Sequence, residues 1–331
     1  MRLVGFYLFA AVAVLLPILF PDNYFVTVVG ASAGLHVILA VGLNLLMGYA
    51  GQISLGHAAF FGMGAYTSAI LTTRFAWPGL LAMAAGLLVA GVMAWLFARP
   101  ILRLRGHYLA MATLGFGIIV HVIMVQAMHW TGGPDGLAGI PPLNLLGWTV
   151  EGDQQWYGVI IAAMLLTIWL SLNIVDSRMG RALRAVRGSE FAAQMMGIDT
   201  ARAKTQVFVV SALFAAFAGS LFAHQQAFIS PDSFNLMISV ELVTMVVLGG
   251  MASTFGAACG AIALTLLHQG LVVFEDYEML IHGGLLMVVM IFLPQGLFVG
   301  LSQGVRRVMN NSSIVLRYRE IVSTKLSSSS R

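Results

Sequence analysis

The sequence predicts an all-α, polytopic transmembrane bundle of nine or ten helices. Hydrophobic residues make up 59% of its 331 residues and charged residues only 9%, whereas about a quarter of a soluble globular chain is charged. Uncharged windows of roughly the length that crosses a bilayer recur from the first residues to about residue 300. Because no stretch between these windows has the length of a soluble domain, residues 1–305 are expected to form one membrane domain.

The expected spans follow one another with short connections. They cover residues 3–21, 24–47, 57–73, 75–98, 108–129, 157–175, 206–228, 236–250, 256–274 and 279–300. The first window resembles a signal peptide, but it lacks an Ala-x-Ala-like cleavage site and is long enough to span, so a retained helix is expected. The Ser- and Arg-rich tail, 306–331, has the composition of a disordered cytoplasmic end.

The basic residues predict the orientation of the bundle. With the N-terminus inside and ten crossings, Arg2, the loops 99–107 and 176–204, and the tail hold sixteen of the seventeen Lys and Arg residues on the cytoplasmic side. Both termini are therefore expected in the cytoplasm. Topology accounts for the positive charge, so nucleic-acid binding is not expected. The single cysteine, Cys259, excludes an intrachain disulfide and a Cys-rich metal site.

Two glycine-rich segments predict broken helices and supply candidates for a translocation path. The candidates are Gly48, Gly51, Gln52, Ser54, Gly56 and His57 in the first segment, and Gly249 and Gly250 in the second. Irregular backbone at membrane depth is tolerated only where protein buries it or water lines it. Close packing of helices is an equally good explanation for the glycines. The ten-span topology puts both breaks on the same side of the membrane, and their similarity hints at an internal duplication.

Glu241 is a further path candidate because it is a carboxylate within the apolar run 239–250. Ionisable residues inside a membrane usually have a function, although the nearby Pro231-Asp232 also fits a position at the outer interface. The outer loop contains Thr131, Gly132, Gly133 and Asp135. Its composition is typical of a tight turn, and the alternative is contact with a delivered substrate or a docking protein.

The loop 176–204 is a candidate surface for binding a partner. Its sequence predicts two short helices, the first over Gly180–Val186 and the second with Ser189 as N-cap and Gly197 as the residue that ends it. The basic residues fit a loop that lies on anionic lipid, while the small residues beside Phe191 favour packing into a groove of another protein. The candidate residues are Gly180, Arg181, Arg184, Arg187, Glu190, Ala193 and Gly197.

Sequence motifs for enzyme chemistry, cofactors or metals are missing. There is no Gly-x-x-x-x-Gly-Lys-Ser/Thr phosphate loop and no His-Glu-x-x-His pair, and Lys204 and Lys325 are the only lysines. The eight histidines are scattered over different segments. The chain is therefore not expected to hydrolyse ATP, to bind a cofactor or metal, or to be an enzyme.

Five segments carry a family resemblance: 42–60, 104–114, Thr131–Leu137, 180–197 and 240–251. They resemble the longer of the two permease subunits of bacterial ABC importers for branched-chain amino acids. The resemblance implies that 180–197 seats on a separate ATPase subunit, and that the segment after Met47 lines or braces the path. It also implies a second permease in a heterodimer, two ATPase subunits and a periplasmic binding protein.

By the same resemblance, the protein would lie in the bacterial inner membrane. It would carry branched-chain amino acids, or related solutes such as urea and short amides, into the cytoplasm by alternating access. A self-contained secondary transporter or channel, using Glu241 and a histidine, is the alternative from another class. A membrane-embedded enzyme would need a clustered acid, base or metal set, which the sequence does not contain.

Overall fold

A computed structural model describes residues 2–19, 23–102, 104, 106–145, 147–271, 283, 284 and 287. The helices of these residues are α1 (Arg2–Leu19), α2 (Gly30–Asn44), α3 (His57–Phe75), α4 (Gly79–Ile101), α5 (His107–Gln126), α6 (Met128–Thr131), α7 (Asp153–Asp176), α8 (Arg178–Gly188), α9 (Glu190–Met195), α10 (Thr200–Gln226), α11 (Leu236–Gly249) and α12 (Thr254–Leu271). The strands are β1 (Leu137–Ala138), β2 (Asn144–Leu145), β3 (Trp148–Thr149) and β4 (Phe228–Ile229). Nearly all of the expected span 279–300, and the whole tail, lie outside the described residues.

The expected all-α membrane bundle is confirmed. π-helical turns at Phe25–Val29 and Leu45–Tyr49 extend α2 at both ends. Six helices of the described residues are long and apolar enough to cross a membrane: Phe25–Tyr49, α4, α5, α7, α10 and Pro231–Gly249. The expected helices α1, α3 and α12 also form, but they do not meet the same test, so the count of nine or ten spans is not established. The chain is a multi-pass membrane protein.

α3 is less apolar than α4, and most of its residues are buried by other helices. It packs against α10 and α4, and Ser68 and Thr72 are buried there. A Cβ atom at Gly64 would collide with the backbone of Ala216, and one at Gly219 with the backbone of Phe61. Small residues thus let α3 and α10 approach closely, as is common between membrane helices.

The two ends of the bundle differ in character. At the end that we call the basic end, Arg99 at the close of α4 lies near Arg202 at the start of α10. The loops 99–107 and 176–204 therefore share one end, as the distribution of basic residues predicts. At the opposite end, β1 pairs with β4, and His224 donates from Nδ1 to the carbonyl of Pro141 at 2.9 Å. Which of these ends faces the cytoplasm stays a prediction.

Candidate functional site

The first predicted helix break is present between Tyr49 and His57. The helix that contains α2 ends at Tyr49, residues 51–56 are not helical, and α3 begins at His57. Gly51 has a φ of +69°, a conformation that disfavours other residues. The backbone N–H of Leu55 donates to Oγ1 of Thr113 at 3.0 Å, which fixes the irregular segment against α5.

The second predicted break is present between α11 and α12. α11 ends at Gly249, after which Gly250 has a φ of +110° and Ala252 a φ of +61°. α12 then begins at Thr254, and Oγ of Ser253 accepts from the N–H of Gly256 at 3.0 Å. Ser253 is therefore an N-cap that restarts the helix after the break.

Asn44 joins the two breaks. Its side chain is fully buried; Nδ2 donates to the carbonyl of Ser253 at 3.1 Å, and Oδ1 accepts from the N–H of Ala252 at 3.0 Å. Tyr49 and Thr254 lie beside this contact, with 3.4 Å between their hydroxyl oxygens. Both breaks therefore lie at the same level of the bundle. Our sequence analysis missed Asn44, although an amide four residues before Gly48 in an apolar helix is a detectable signal.

The glycines of the two breaks mainly allow close packing. A Cβ atom at Gly48 would collide with the Asn44 side chain and would lie 2.5 Å from the Ala252 nitrogen. A Cβ atom at Gly56 would collide with the Thr113 carbonyl, and one at Gly249 with the Gly256 carbonyl. Of the two explanations that the sequence leaves open for these glycines, packing is the one that these contacts favour.

Two polar side chains of the first break have a role other than close helix packing. Oε1 of Gln52 and Nε2 of His57 are buried and have no hydrogen-bond partner among the described residues. His57 is 2% exposed, and its Nε2 faces Gly42 of α2; Ser54 is equally buried. Unpartnered buried polar atoms are rare in proteins and call for a water molecule, an ion or a functional role.

Glu241 is a partly buried residue in the first half of α11. Two residues earlier, Oγ of Ser239 accepts from the N–H of Ala58 at 3.0 Å, which places this turn of α11 beside the start of α3. Glu241 is partly buried, and both it and His268 act electrostatically on His36. His36 in turn lies 3.0 Å from the Thr265 hydroxyl. The sequence alone did not predict the contact between His36 of α2 and Thr265 of α12.

The first helix of the basic loop, α8, is amphipathic and longer than expected. It begins after Ser177, whose Oγ accepts from the N–H groups of Met179 and Gly180. Leu183 and Val186 are buried. Its exposed residues include Arg178, Arg181, Arg184 and Arg187. α8 thus lies against the bundle with its guanidinium groups outside.

The second helix of this loop, α9, has the predicted caps. Oγ of Ser189 accepts from the N–H of Ala192 at 3.3 Å. Gly197 has a φ of +78°, and the N–H of Ile198 donates to the Ala193 carbonyl at 3.0 Å. Together with the bond from Gly197 to Gln194, this is a Schellman motif.

α9 presents an apolar surface at the basic end of the bundle. Phe191 is 71% exposed, Met195 74% and Met196 82%; we call these three residues the α9 knob. Ala193, in contrast, is buried and faces the protein. An exposed group of three large apolar side chains on a short helix is typical of a surface that binds another protein.

The basic loop contacts both a long helix and the first break. Nζ of Lys204, a side chain that is 2% exposed, lies 2.7 Å from Oε1 of Glu190, which ties α9 to α10. A Cβ atom at Gly51 would lie 3.3 Å from Cγ of Arg187, so the end of α8 lies against the break. The residues 176–204 are therefore in direct contact with one of the candidate path segments.

Comparison with known proteins identifies the family. The family model described as "Branched-chain amino acid transport system / permease component" matches residues 24–290. The chain belongs to this permease family.

Relatives of the permease have the same description. It is 37% identical over 286 residues to the high-affinity branched-chain amino acid transport system permease protein LivM of Salmonella typhimurium (strain LT2), covering 80% of this chain and 67% of LivM. It is 36% identical to LivM of Escherichia coli (strain K12) with the same coverage. It is 28% identical over 285 residues to BraD of Pseudomonas aeruginosa (strain PAO1), covering 79% and 91%. No solved structure matches.

The loop that begins at Thr131, which the sequence predicts on the outer side, is a tight turn in the permease. Oγ1 of Thr131 donates to the Met124 carbonyl at 2.7 Å and accepts from the N–H of Gly133 at 3.2 Å. Gly132 and Gly133 both have positive φ. Three of the four candidate residues in this loop therefore shape the turn, and Asp135 remains as an exposed side chain at its tip.

Two large cavities of the permease lie away from the helix breaks. One, of about 930 Å³, lies between α4, α8 and α10 at the basic end. The other, of about 640 Å³, lies between α3, α4 and α5 and has an almost entirely apolar lining. Within the described part of the chain, no three His, Cys, Asp or Glu side chains are close enough to hold a metal ion.

Proposed function

We propose that this permease is one membrane subunit of a bacterial ABC importer. In this proposal it carries branched-chain amino acids, or related small polar solutes, across the inner membrane into the cytoplasm by alternating access. Family membership supports the transport class and the substrate class. The observation that carries the energy-coupling part is the contact of the basic loop with the first helix break at Gly51 and Arg187.

The α9 knob is the proposed seat of an ATPase subunit. Phe191, Met195 and Met196 project from a helix that two caps hold in a fixed shape. Burying such side chains in a groove of a partner is favourable by roughly 1.5–3 kcal/mol for each fully buried side chain. The preceding helix, α8, carries exposed arginines, which favour an acidic rim on the partner.

Motion of the seated loop would reach the bundle along two connections. The Lys204–Glu190 ion pair links α9 to α10, which packs against α2, α3 and α4. Arg187 of α8 lies against the first break, which Asn44 joins to the second. Closure of two ATPase subunits on ATP would thus move packed helices as rigid bodies, and no catalytic group is needed in this chain.

The remaining partners follow from the same proposal. A second permease completes the path, and a periplasmic binding protein delivers substrate to the end that carries Asp135. Gln52 and His57 have unpartnered buried atoms that suit a polar solute or water beside the path. Glu241 supplies a partly buried carboxylate on α11.

A secondary transporter is the second candidate, and one observation favours it. His36 of α2 contacts Thr265 of α12, and α11 carries the partly buried Glu241, so the bundle contains ionisable side chains of the kind that proton-coupled transporters use. The two candidates differ in their source of energy: an ion gradient would drive the secondary transporter, and ATP hydrolysis the importer.

Reconstitution in liposomes tests the proposed function. We expect leucine uptake only when ATP, both ATPase subunits, the second permease and the binding protein are present. Replacing Phe191 and Met195 by Ser should lower substrate-stimulated ATPase activity at least tenfold, because losing two buried apolar contacts costs about 3 kcal/mol or more. The matched control replaces Leu88 and Leu96 of α4, which are 66% and 57% exposed and lie outside the basic loop, and should retain the stimulation.

Two results would contradict this proposal. Gradient-driven uptake by the purified chain alone, without ATP, would favour the secondary transporter. Normal ATPase stimulation by the Phe191 and Met195 variant, with normal assembly, would remove the α9 knob from the coupling surface.

A further inference from the structure

The cavity at the basic end combines positive charge with apolar walls. Its volume is about 930 Å³, and its lining includes Trp95 and Arg99 of α4, and Arg202, Val209 and Val210 of α10. It lies between membrane-spanning helices at the level where they leave the apolar part of the bundle. The proposed translocation function does not use it, because none of the path candidates lines it.

Polarity changes along the depth of this cavity. Arg99 and Arg202 lie at the ends of α4 and α10, at the mouth of the cavity. Trp95 is one turn deeper on α4, about 6 Å along the helix, and Val209 is two turns deeper on α10, about 10 Å. A charged mouth, an indole ring below it and an aliphatic wall below that match the phosphate, glycerol and acyl levels of a phospholipid.

The charges at the mouth are available to a ligand. The Arg99 guanidinium lies over the Trp95 ring at 4.6 Å, which holds it at the rim. The one carboxylate in the lining, Asp199, accepts from the backbone N–H of Arg202 at 2.9 Å and so caps α10. Within the described residues, neither guanidinium forms an ion pair, and both side chains are exposed. The mouth therefore has a net positive charge.

We propose that this cavity binds an anionic phospholipid. The two guanidinium groups receive the phosphodiester, and one acyl chain runs past Trp95 along Val209 and Val210. A free phosphate shares the headgroup chemistry, but it would leave the apolar wall unused. A bound lipid at this position would also touch Met179 of α8, so the membrane itself would brace the basic loop.

Native mass spectrometry of the full chain in mild detergent tests the site. The probes are phosphatidylglycerol and phosphatidylcholine with identical acyl chains. We expect roughly 10- to 30-fold tighter retention of phosphatidylglycerol, since each arginine near a membrane surface contributes about 1 kcal/mol. In the double variant Arg99→Gln, Arg202→Gln, the retention of the two lipids should differ by about threefold or less. Glycerol phosphate, which lacks acyl chains, should not compete.

Arg74 supplies the matched control. Its guanidinium lies over the Trp130 ring at 5.6 Å, so Arg74→Gln removes a similar pair from outside the cavity and should leave the preference unchanged. If the double variant does not fold, Arg99→Gln alone should lower the preference about threefold or more. An unchanged preference in a folded variant would overturn the site, and so would full competition by glycerol phosphate.

A third outcome is that the arginine variants bind the ATPase subunit more weakly but retain lipid as the wild type does. The cavity would then belong to the ATPase-binding surface. This result would overturn the lipid site and leave the proposed function intact.

Discussion

At the scale of single residues, Asn44 contributes most to the arrangement of the helix breaks. One buried amide satisfies a donor and an acceptor of a backbone segment that has left helical geometry. Lys204 and Glu190 have a comparable role at the basic end, since they pair a buried cation with a carboxylate on a separate helix. Both contacts join different elements of the chain, and loss of Asn44 or of Glu190 would remove the partner of a backbone N–H or of a buried ammonium group.

Replacing Asn44 by Leu should destabilise the protein and impair transport. The N–H of Ala252 would lose its acceptor, which costs about 1–3 kcal/mol when the group is buried. Thermal unfolding in detergent should show a lower Tm, and ATP-driven uptake in the reconstituted importer should fall. Asn173, an exposed amide on α7, is the control, and Asn173→Leu should change neither measurement. Equal behaviour of the two variants would contradict the role assigned to Asn44.

At the scale of elements, α8 owes its position to the absence of a side chain at Gly180. A Cβ atom there would collide with the backbone carbonyl of Val175, at the end of α7. Gly188, at the other end of α8, has open space around its Cβ position. The two glycines of one helix therefore differ in what they tolerate.

The variant Gly180→Ala should displace α8 from α7, whereas Gly188→Ala should be accepted. Because α8 also touches the first break, we expect Gly180→Ala to reduce substrate-stimulated ATPase activity several-fold, with Gly188→Ala near the wild-type value. Hydrogen exchange over residues 176–188 measures the displacement directly. Faster exchange in Gly188→Ala than in Gly180→Ala would show that Gly180 is not the glycine that positions α8.

The sequence predicts the elements well where the signals are local. Ser189 and Gly197 mark the ends of α9 because capping depends on residues a few positions apart. The apolar windows similarly predict helix positions, since a helix in lipid satisfies its own backbone. The contact of Asn44 with Ala252 and Ser253, and that of Lys204 with Glu190, depend on how the helices pack. One sequence carries no direct signal for such pairs, so the site was found only in part.

At the scale of the whole molecule, the orientation in the membrane is open to a direct measurement. In a Cys259→Ser background, Arg184→Cys at the basic end and Asp135→Cys at the opposite end should react with a membrane-impermeant thiol reagent from opposite sides. We expect Asp135→Cys to react in intact spheroplasts and Arg184→Cys only in inverted vesicles, because basic loops are retained in the cytoplasm. Labelling of both from the same side would show that the ten-span topology is wrong.

In the proposed importer, the amide bridge at Asn44 would also limit how the path can leak. Two independent hinges would have four combinations of positions, and in the two mixed combinations one break would move without the other and open a continuous pore. Hinges that share hydrogen bonds to one side chain change together, which leaves two combinations and neither pore-forming mixture at appreciable population. Loss of the bridge would then be expected to raise passive solute conductance before it abolishes pumping.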